Sequence, residues 1–158
     1  MEPAGKDIFV RPATVADLPE LGDLLMLLFT QEADFQPDHA RQESGLRLIL
    51  TQPEVGVILC ATAGTQLAGM VSLLYTVSTA EGGRAAWLED MIVRPAFRDQ
   101  GVGKCLLQAA IGAGRAAGCT RITLLTDADN APAMRFYGRA GFQRSNMVPF
   151  RLSLRSEG

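Results

Sequence analysis

The residues best able to do chemistry gather around one short reach of the chain. Arg98-Asp99-Gln100-Gly101-Val102-Gly103-Lys104 sets two glycines between an arginine and a lysine, just ahead of a helical pattern that runs to Ala117. The first turn of a helix carries unpaired N–H groups and a partial positive charge. Glycine lets a ligand approach the backbone and adopts positive φ without steric cost. Such a place fits an anionic phosphate group, and Arg98 and Lys104 add charge and donors. A tight turn that needs glycine for geometry alone accounts for the same residues. No Gly-Lys-Ser/Thr closes the stretch, so it is not a Walker loop. It is a poor Rossmann match too, because a dinucleotide site wants three glycines after the first strand of a parallel unit.

Other candidates flank this turn. Glu89 and Asp90 interrupt an apolar strand, where an unpaired carboxylate is costly. Adjacent strand residues face opposite sides, so at most one points at a reacting group unless a bulge redirects the chain. The carboxylate is either a base or the partner of a basic neighbour such as Arg84, and Asp90 is open to a structural role. Tyr137 is either a proton donor or a packed helix tyrosine. Asn130 suits a helix N-cap. His39, the only histidine, stands at the start of a predicted helix and reads as a surface residue. Arg135, Arg139 and Arg144 form a basic group. Cys60, Cys105 and Cys119 have no metal or disulfide spacing, and read as reduced cysteines packed as small apolar groups.

These residues need elements to hold them. Ile8 to Pro12 reads as a strand. Thr14 and Asp17 are N-cap candidates for a helix in which Leu18, Leu21, Leu24, Leu25 and Leu28 recur up to about Glu32. Pro37 and Asp38 mark a new start, and a second helix covers His39 to Thr51. Val55–Thr62, Gln66–Val77 and Ala86–Val93 read as three antiparallel strands joined by glycine turns. Gly103–Ala117 is helical with Gly118 as its cap, and Arg121–Thr126 is a strand parallel to its predecessor. Asn130–Ala140 is a last helix, with terminal strands at Phe142–Ser145 and Val148–Leu154. The order describes one α/β domain, residues 1–158, with a mixed sheet.

Composition sets the limits. The 158 residues are 47% apolar and 20% charged, ordinary for a globular chain long enough to bury a core. A net charge of −2 speaks against nucleic-acid binding by overall charge. The N-terminus lacks a signal-peptide apolar core, and no apolar run approaches the ~18 residues of a membrane span. A reduced, cytoplasmic setting is expected.

Two blocks carry a family resemblance. LEDMIVRPAFRDQGVGKCLL resembles the acetyl-CoA signature of the GNAT acetyltransferases, Arg/Gln-x-x-Gly-x-Gly/Ala after a strand ending in Val-x-Pro, with Arg98, Gly101 and Gly103 at its fixed positions. Asn130 to Phe142 resembles the family's Asn…Phe-Tyr-x-x-x-Gly-Phe element, and IFVRPATVADLPELGDLL its first strand and helix. The resemblance implies a mixed, mostly antiparallel sheet of about seven strands, helices on both faces, splayed at a central parallel pair. It implies acetyl-CoA as co-substrate and no metal. Arg98, Asp99, Gln100, Gly101, Val102, Gly103 and Lys104 would cradle the pyrophosphate. Met91, Ile92 and Val93 would hold the pantetheine arm, and Asn130 and Tyr137 would also contact the cofactor. The basic group of Arg135, Arg139 and Arg144 is open to a role at the adenosine 3′-phosphate or as a solvated face. Tyr137 matches the family's acid. Leu-Glu-Asp followed by two residues and Val resembles the spermidine/spermine acetyltransferase branch, which makes Glu89 the base, through water.

The expected reaction is acetyl transfer from acetyl-CoA to a primary amine of a small molecule, with a di- or polyamine as the favoured acceptor, by direct attack in a ternary complex. Glu32, Asp34, Asp38 and Glu43, against Arg41 and Arg47, suggest an acidic approach for a cationic amine. The alternatives are a protein N-terminal or lysine acetyltransferase, and a silent coenzyme A binding module. Family habit adds a homodimer, and neither nucleic acid nor membrane is expected as a partner.

Overall fold

Apolar and β-branched runs divided by glycine turns build a five-stranded sheet. The computed structural model describes residues 7–31 and 38–155. Its elements are β1 (Ile8–Pro12), α1 (Leu18–Gln31), α2 (His39–Thr51), β2 (Gly56–Ala63), β3 (Gln66–Ser78), β4 (Gly83–Val93), α3 (Val102–Ala116), β5 (Ile122–Leu124) and α4 (Ala131–Arg139). Short 3-10 turns at Val15–Asp17 and Pro95–Phe97 precede α1 and α3. Two compact units result, Met1–Leu125 and Thr126–Gly158.

In the first unit the strands lie in the order β1-β2-β3-β4-β5. Every neighbouring pair is antiparallel except β4 and β5, which run parallel and pair only from Ala86–Leu88 to Ile122–Leu124. Helices cover both faces. Leu18, Leu21, Leu24 and Leu25 of α1 and Leu46 of α2 share a core with Ile58, Cys60, Leu67, Met70 and Ile92. On the other face α3 buries Val102, Leu106, Leu107, Ala110 and Gly114, one stripe at helical spacing. A Cβ at Gly114 would stand 3.2 Å from Ile122 and 3.6 Å from Leu73, so this glycine sets how closely α3 seats on the sheet. Each fully buried leucine contributes about 2 kcal/mol.

The chain enters α1 through a fixed corner. Thr14 N–H donates to Asp17 Oδ2 at 2.8 Å, and Arg11 donates to both carboxylate oxygens of Asp17 at 2.8 Å. The guanidinium holds the Asp17 carboxyl down at about 2. Asp38 caps α2, accepting from Arg41 N–H at 3.1 Å. Among the described residues no helix is long and apolar enough to cross a membrane.

Among the described residues the sheet has five strands rather than about seven. The terminal strands expected at Phe142–Ser145 and Val148–Leu154 do not form, and the expected central parallel pair is an edge pair. Val148, Phe150, Leu152 and Leu154 keep the alternation of a strand but are 75–97% exposed. Alternation encodes a preference, and only a partner edge turns it into a strand. Glu32, the end expected for α1, lies outside the described residues, as do Asp34 and Pro37. The three cysteines are free, but only Cys60 is buried as expected. Burial pushes its thiol up to about 11, while Cys105 is exposed and Cys119 partly so.

Candidate active site

The glycine turn joins β4 to α3. Arg98 Nε donates to the carbonyl of Val93, the last residue of β4, at 3.2 Å. Gln100 Nε2 donates to Ala96 O at 3.1 Å. Asp99 has φ +60°, and Gly101, the N-cap of α3, has φ +81°. The first bond to the cap carbonyl is Cys105 N–H to Gly101 O at 3.0 Å, so the N–H groups of Val102, Gly103 and Lys104 have no helical partner. A Cβ at Gly101 would meet nothing within 4 Å. The glycine therefore serves the left-handed backbone, and the turn opens outward instead of packing on the protein. Lys104 is exposed beside it.

Upstream, the pairing of β4 with β5 stops at Leu88, so among the described residues Met91 to Val93 run past the end of β5 without a strand beside them on that side. Toward β3 the ladder is interrupted. Ser72 pairs with Glu89 and Met70 pairs with Ile92, leaving Asp90 and Met91 as a bulge opposite Val71. Asp90 carries φ +54°, a conformation that costs a non-glycine residue about 1 kcal/mol or more. The bulge resets the alternation, so Glu89 and Ile92 share a face although three residues apart. Register puts Trp87, 37% exposed, on that face too, two residues before Glu89.

Glu89 is exposed, and among the described residues nothing pairs with it. The alternative partner, Arg84, is engaged elsewhere. Its guanidinium stands 4.8 Å over the Tyr75 ring and donates to Ala117 O at 3.4 Å, at the end of α3. Sequence reasoning did not single out Arg94, which tethers the end of β4. Arg94 Nε donates to Leu67 O at 2.7 Å, and its Nη2 lies 3.9 Å from Glu20. Its place after an apolar strand was the only signal.

The second unit carries Asn130 and Tyr137. Asn130 Oδ1 accepts from Ala133 N–H at 3.1 Å, the N-cap expected of it, with Pro132 in the first turn of α4. Tyr137 packs edge-on to Phe136 and Phe142, with ring centroids at 5.1 and 5.7 Å. Burial pushes its phenol up to about 12, so the hydroxyl stays protonated at every physiological pH. Arg135, Arg139 and Arg144 are exposed. His39 begins α2, with its Nε2 3.5 Å from where a Cβ at Gly22 would stand, packed over α1.

Comparison with known proteins adds an independent line. The model of the acetyltransferase (GNAT) family matches residues 18–142. A glucosamine 6-phosphate N-acetyltransferase of Trypanosoma brucei brucei is 31% identical over 61% of this chain and 64% of its own length. An aminoalkylphosphonate N-acetyltransferase of Salmonella typhimurium is 28% identical over 87% of this chain and 86% of its own. An uncharacterized N-acetyltransferase of Methanocaldococcus jannaschii is 25% identical over 82% of this chain, which spans 59% of that relative's length. A solved aminoglycoside N-acetyltransferase in complex with coenzyme A shares the fold at a TM-score of 0.81, with 20% identity over 98% of this chain and all of that one.

Proposed function

This chain belongs to the acetyltransferase (GNAT) family, and we propose that it moves an acetyl group from acetyl-CoA to the primary amine of a small molecule by direct attack in a ternary complex. One observation carries the reading: the β4 edge, past the end of β5 from Met91 to Val93, leads toward a helix N-terminus that opens outward at Gly101. That juxtaposition suits a long molecule with amide groups along one part and phosphates at the next. Met91, Ile92 and Val93 would hold the amide arm as an added strand, and the turn from Arg98 to Lys104 would take the pyrophosphate. Asn130 would also contact the cofactor, alongside its capping role.

When bound, acetyl-CoA supplies the acetyl thioester. A primary amine is mostly protonated at neutral pH, since its pKa is near ~10. Glu89, exposed and unpaired, takes that proton, directly or through water. A free N–H of β4 polarises the carbonyl under attack. Tyr137 returns a proton to the departing sulfur. With the phenol near 12 and a thiol near ~8.5, a stepwise transfer is uphill by about 5 kcal/mol. The proton must therefore move as the bond to sulfur breaks.

The acidic approach expected for a polyamine is neutralised where it is described. Asp38 lies 3.4 Å from Arg41, and Glu43 lies 3.1 Å from Arg47. Two relatives are named for amines that carry a phosphate or phosphonate. Within the small-amine class we therefore favour a phosphate- or phosphonate-bearing amine over a di- or polyamine. The test is thiol release from acetyl-CoA by the purified protein against separate pools of phosphoamines, polyamines, amino acids, aminoglycosides and short peptides. Release with phosphoamines is expected. Release with peptides alone would make the chain a protein acetyltransferase, and silence with acetyl-CoA still bound would make it a binding module.

A further inference from the structure

Among the described residues two buried side chains, Gln42 of α2 and Ser72 of β3, keep polar atoms without a hydrogen-bond partner, and Ser72 is the one in register with Glu89. Ser72 lies in the middle of β3 with no exposed surface, and among the described residues its hydroxyl has no hydrogen-bond partner. Leaving a buried hydroxyl unmade is unfavourable, and an alanine of nearly the same shape avoids it. The position therefore asks what the hydroxyl is kept for.

Its neighbours answer by elimination. Across β2 it faces Ile58, and along its own strand on the same face it has Met70 and Leu74. All three are apolar. Across β4 it faces Glu89, in direct register. Side chains paired directly across antiparallel strands have Cβ atoms about 5 Å apart, within reach of a hydroxyl and a carboxylate. The row Ile58–Ser72–Glu89 lies on the face that carries the α1 and α2 leucines, because Ile58 and Met70 belong to that core. It also lies at the edge of the bulge, where β4 stops being a regular partner.

We infer that Ser72 is the positioning residue for Glu89: its hydroxyl donates to the Glu89 carboxylate, directly or through one water, when the carboxylate turns down from solvent to take the amine proton. This rests on the reading of Glu89 as the base. Hydrogen bonds of this kind are commonly long or open without ligand and close in the loaded site. A donor to the charged carboxylate favours that form and holds it ready as a base. The other charged groups brought by elements packed on β4 are Glu20 and Asp23 of α1 and, on the opposite face, Lys104 and Arg115 of α3. Glu20 is already engaged, accepting from Leu67 N–H at 2.9 Å and lying 3.9 Å from Arg94.

The test compares Ser72→Ala, Ser72→Thr, Glu89→Gln and the double variant Ser72→Ala/Glu89→Gln in the purified full chain. Each is followed through kcat, KM for both substrates, the pH–rate profile and the melting temperature. Ser72→Ala should melt no lower than wild type, keep its KM for acetyl-CoA, and lose about three- to tenfold in kcat. Its acidic limb should move to higher pH, by roughly half a unit to one unit, because the charged form has lost a donor. Ser72→Thr should restore most of the rate, and in the Glu89→Gln background the alanine should cost nothing further. An unmoved limb in Ser72→Ala, or an equal loss in the Glu89→Gln background, overturns the inference about Ser72. A Glu89→Gln variant with the wild-type profile overturns the base assignment itself, and the inference with it.

Discussion

In the proposed reaction Tyr137 and Glu89 divide the proton work, and each role can be removed with one atom's change. Tyr137→Phe keeps the edge-on packing with Phe136 and Phe142 and deletes only the hydroxyl. It should lower kcat by about a hundredfold and leave the Kd for acetyl-CoA almost unchanged. An equal loss in both would assign the hydroxyl to binding. Glu89→Gln should remove the acidic limb of the pH–rate profile, and an unmoved limb would pass the role to water or Asp90. At this scale the sequence was uneven. Asn130 was legible as a cap because capping chemistry is local: a side-chain oxygen and an N–H three residues on. The fate of Arg84 was not, because Tyr75 and the end of α3 reach it only through the fold. Nor was Asp90, whose positive φ comes from a mismatch between two strands and not from any preference of its own.

At the scale of elements, the glycine turn and the β3–β4 pair make separate predictions. Gly101 sits at φ +81°, a region closed to branched side chains, with open space at its Cβ position. Gly101→Val should cost acetyl-CoA at least about tenfold in affinity by titration, through backbone strain of roughly 1–2 kcal/mol and an obstructed approach. Unchanged affinity would remove the cradle. Gly69→Ala tests packing instead. Its Cβ would fall 2.6 Å from Ile92 O, a backbone atom that cannot swing away. Chemical denaturation should show a loss of about 2 kcal/mol. The helices were legible from leucine spacing, since a 3.6-residue period is written in one segment alone. The bulge and the missing terminal strands were not. A strand's register and its very existence depend on a second segment, as the exposed alternation from Val148 to Leu154 shows.

For the molecule as a whole, acid stability follows from the corner before α1. Asp17 titrates at about 2 when folded against 3.8 ordinarily, so its contribution is fully present above about pH 4 and is lost as the pH falls toward 2. The contribution is at most about 2.5 kcal/mol, and less in practice because the Arg11 side chain is 43% exposed. Asp17→Asn should lower the melting temperature near neutrality and flatten its decline between pH 4 and pH 2. An unchanged acid slope would show that other carboxylates dominate. At this scale the family was legible from the resemblance of two sequence blocks, because the glycine turn and the strand before it are contiguous. The acceptor was not legible, since part of the reach expected to meet it is neutralised by Arg41 and Arg47. There is a way to watch that acceptor arrive. The chain has one tryptophan, Trp87, on the same face as Glu89 and one residue pair along the strand, about 7 Å away. Its indole stands partly in water. Its fluorescence is therefore a spectroscopic signal from a single place, without background from any other indole. A molecule settling over Glu89 would dry the ring and draw its emission to shorter wavelength before any bond is made.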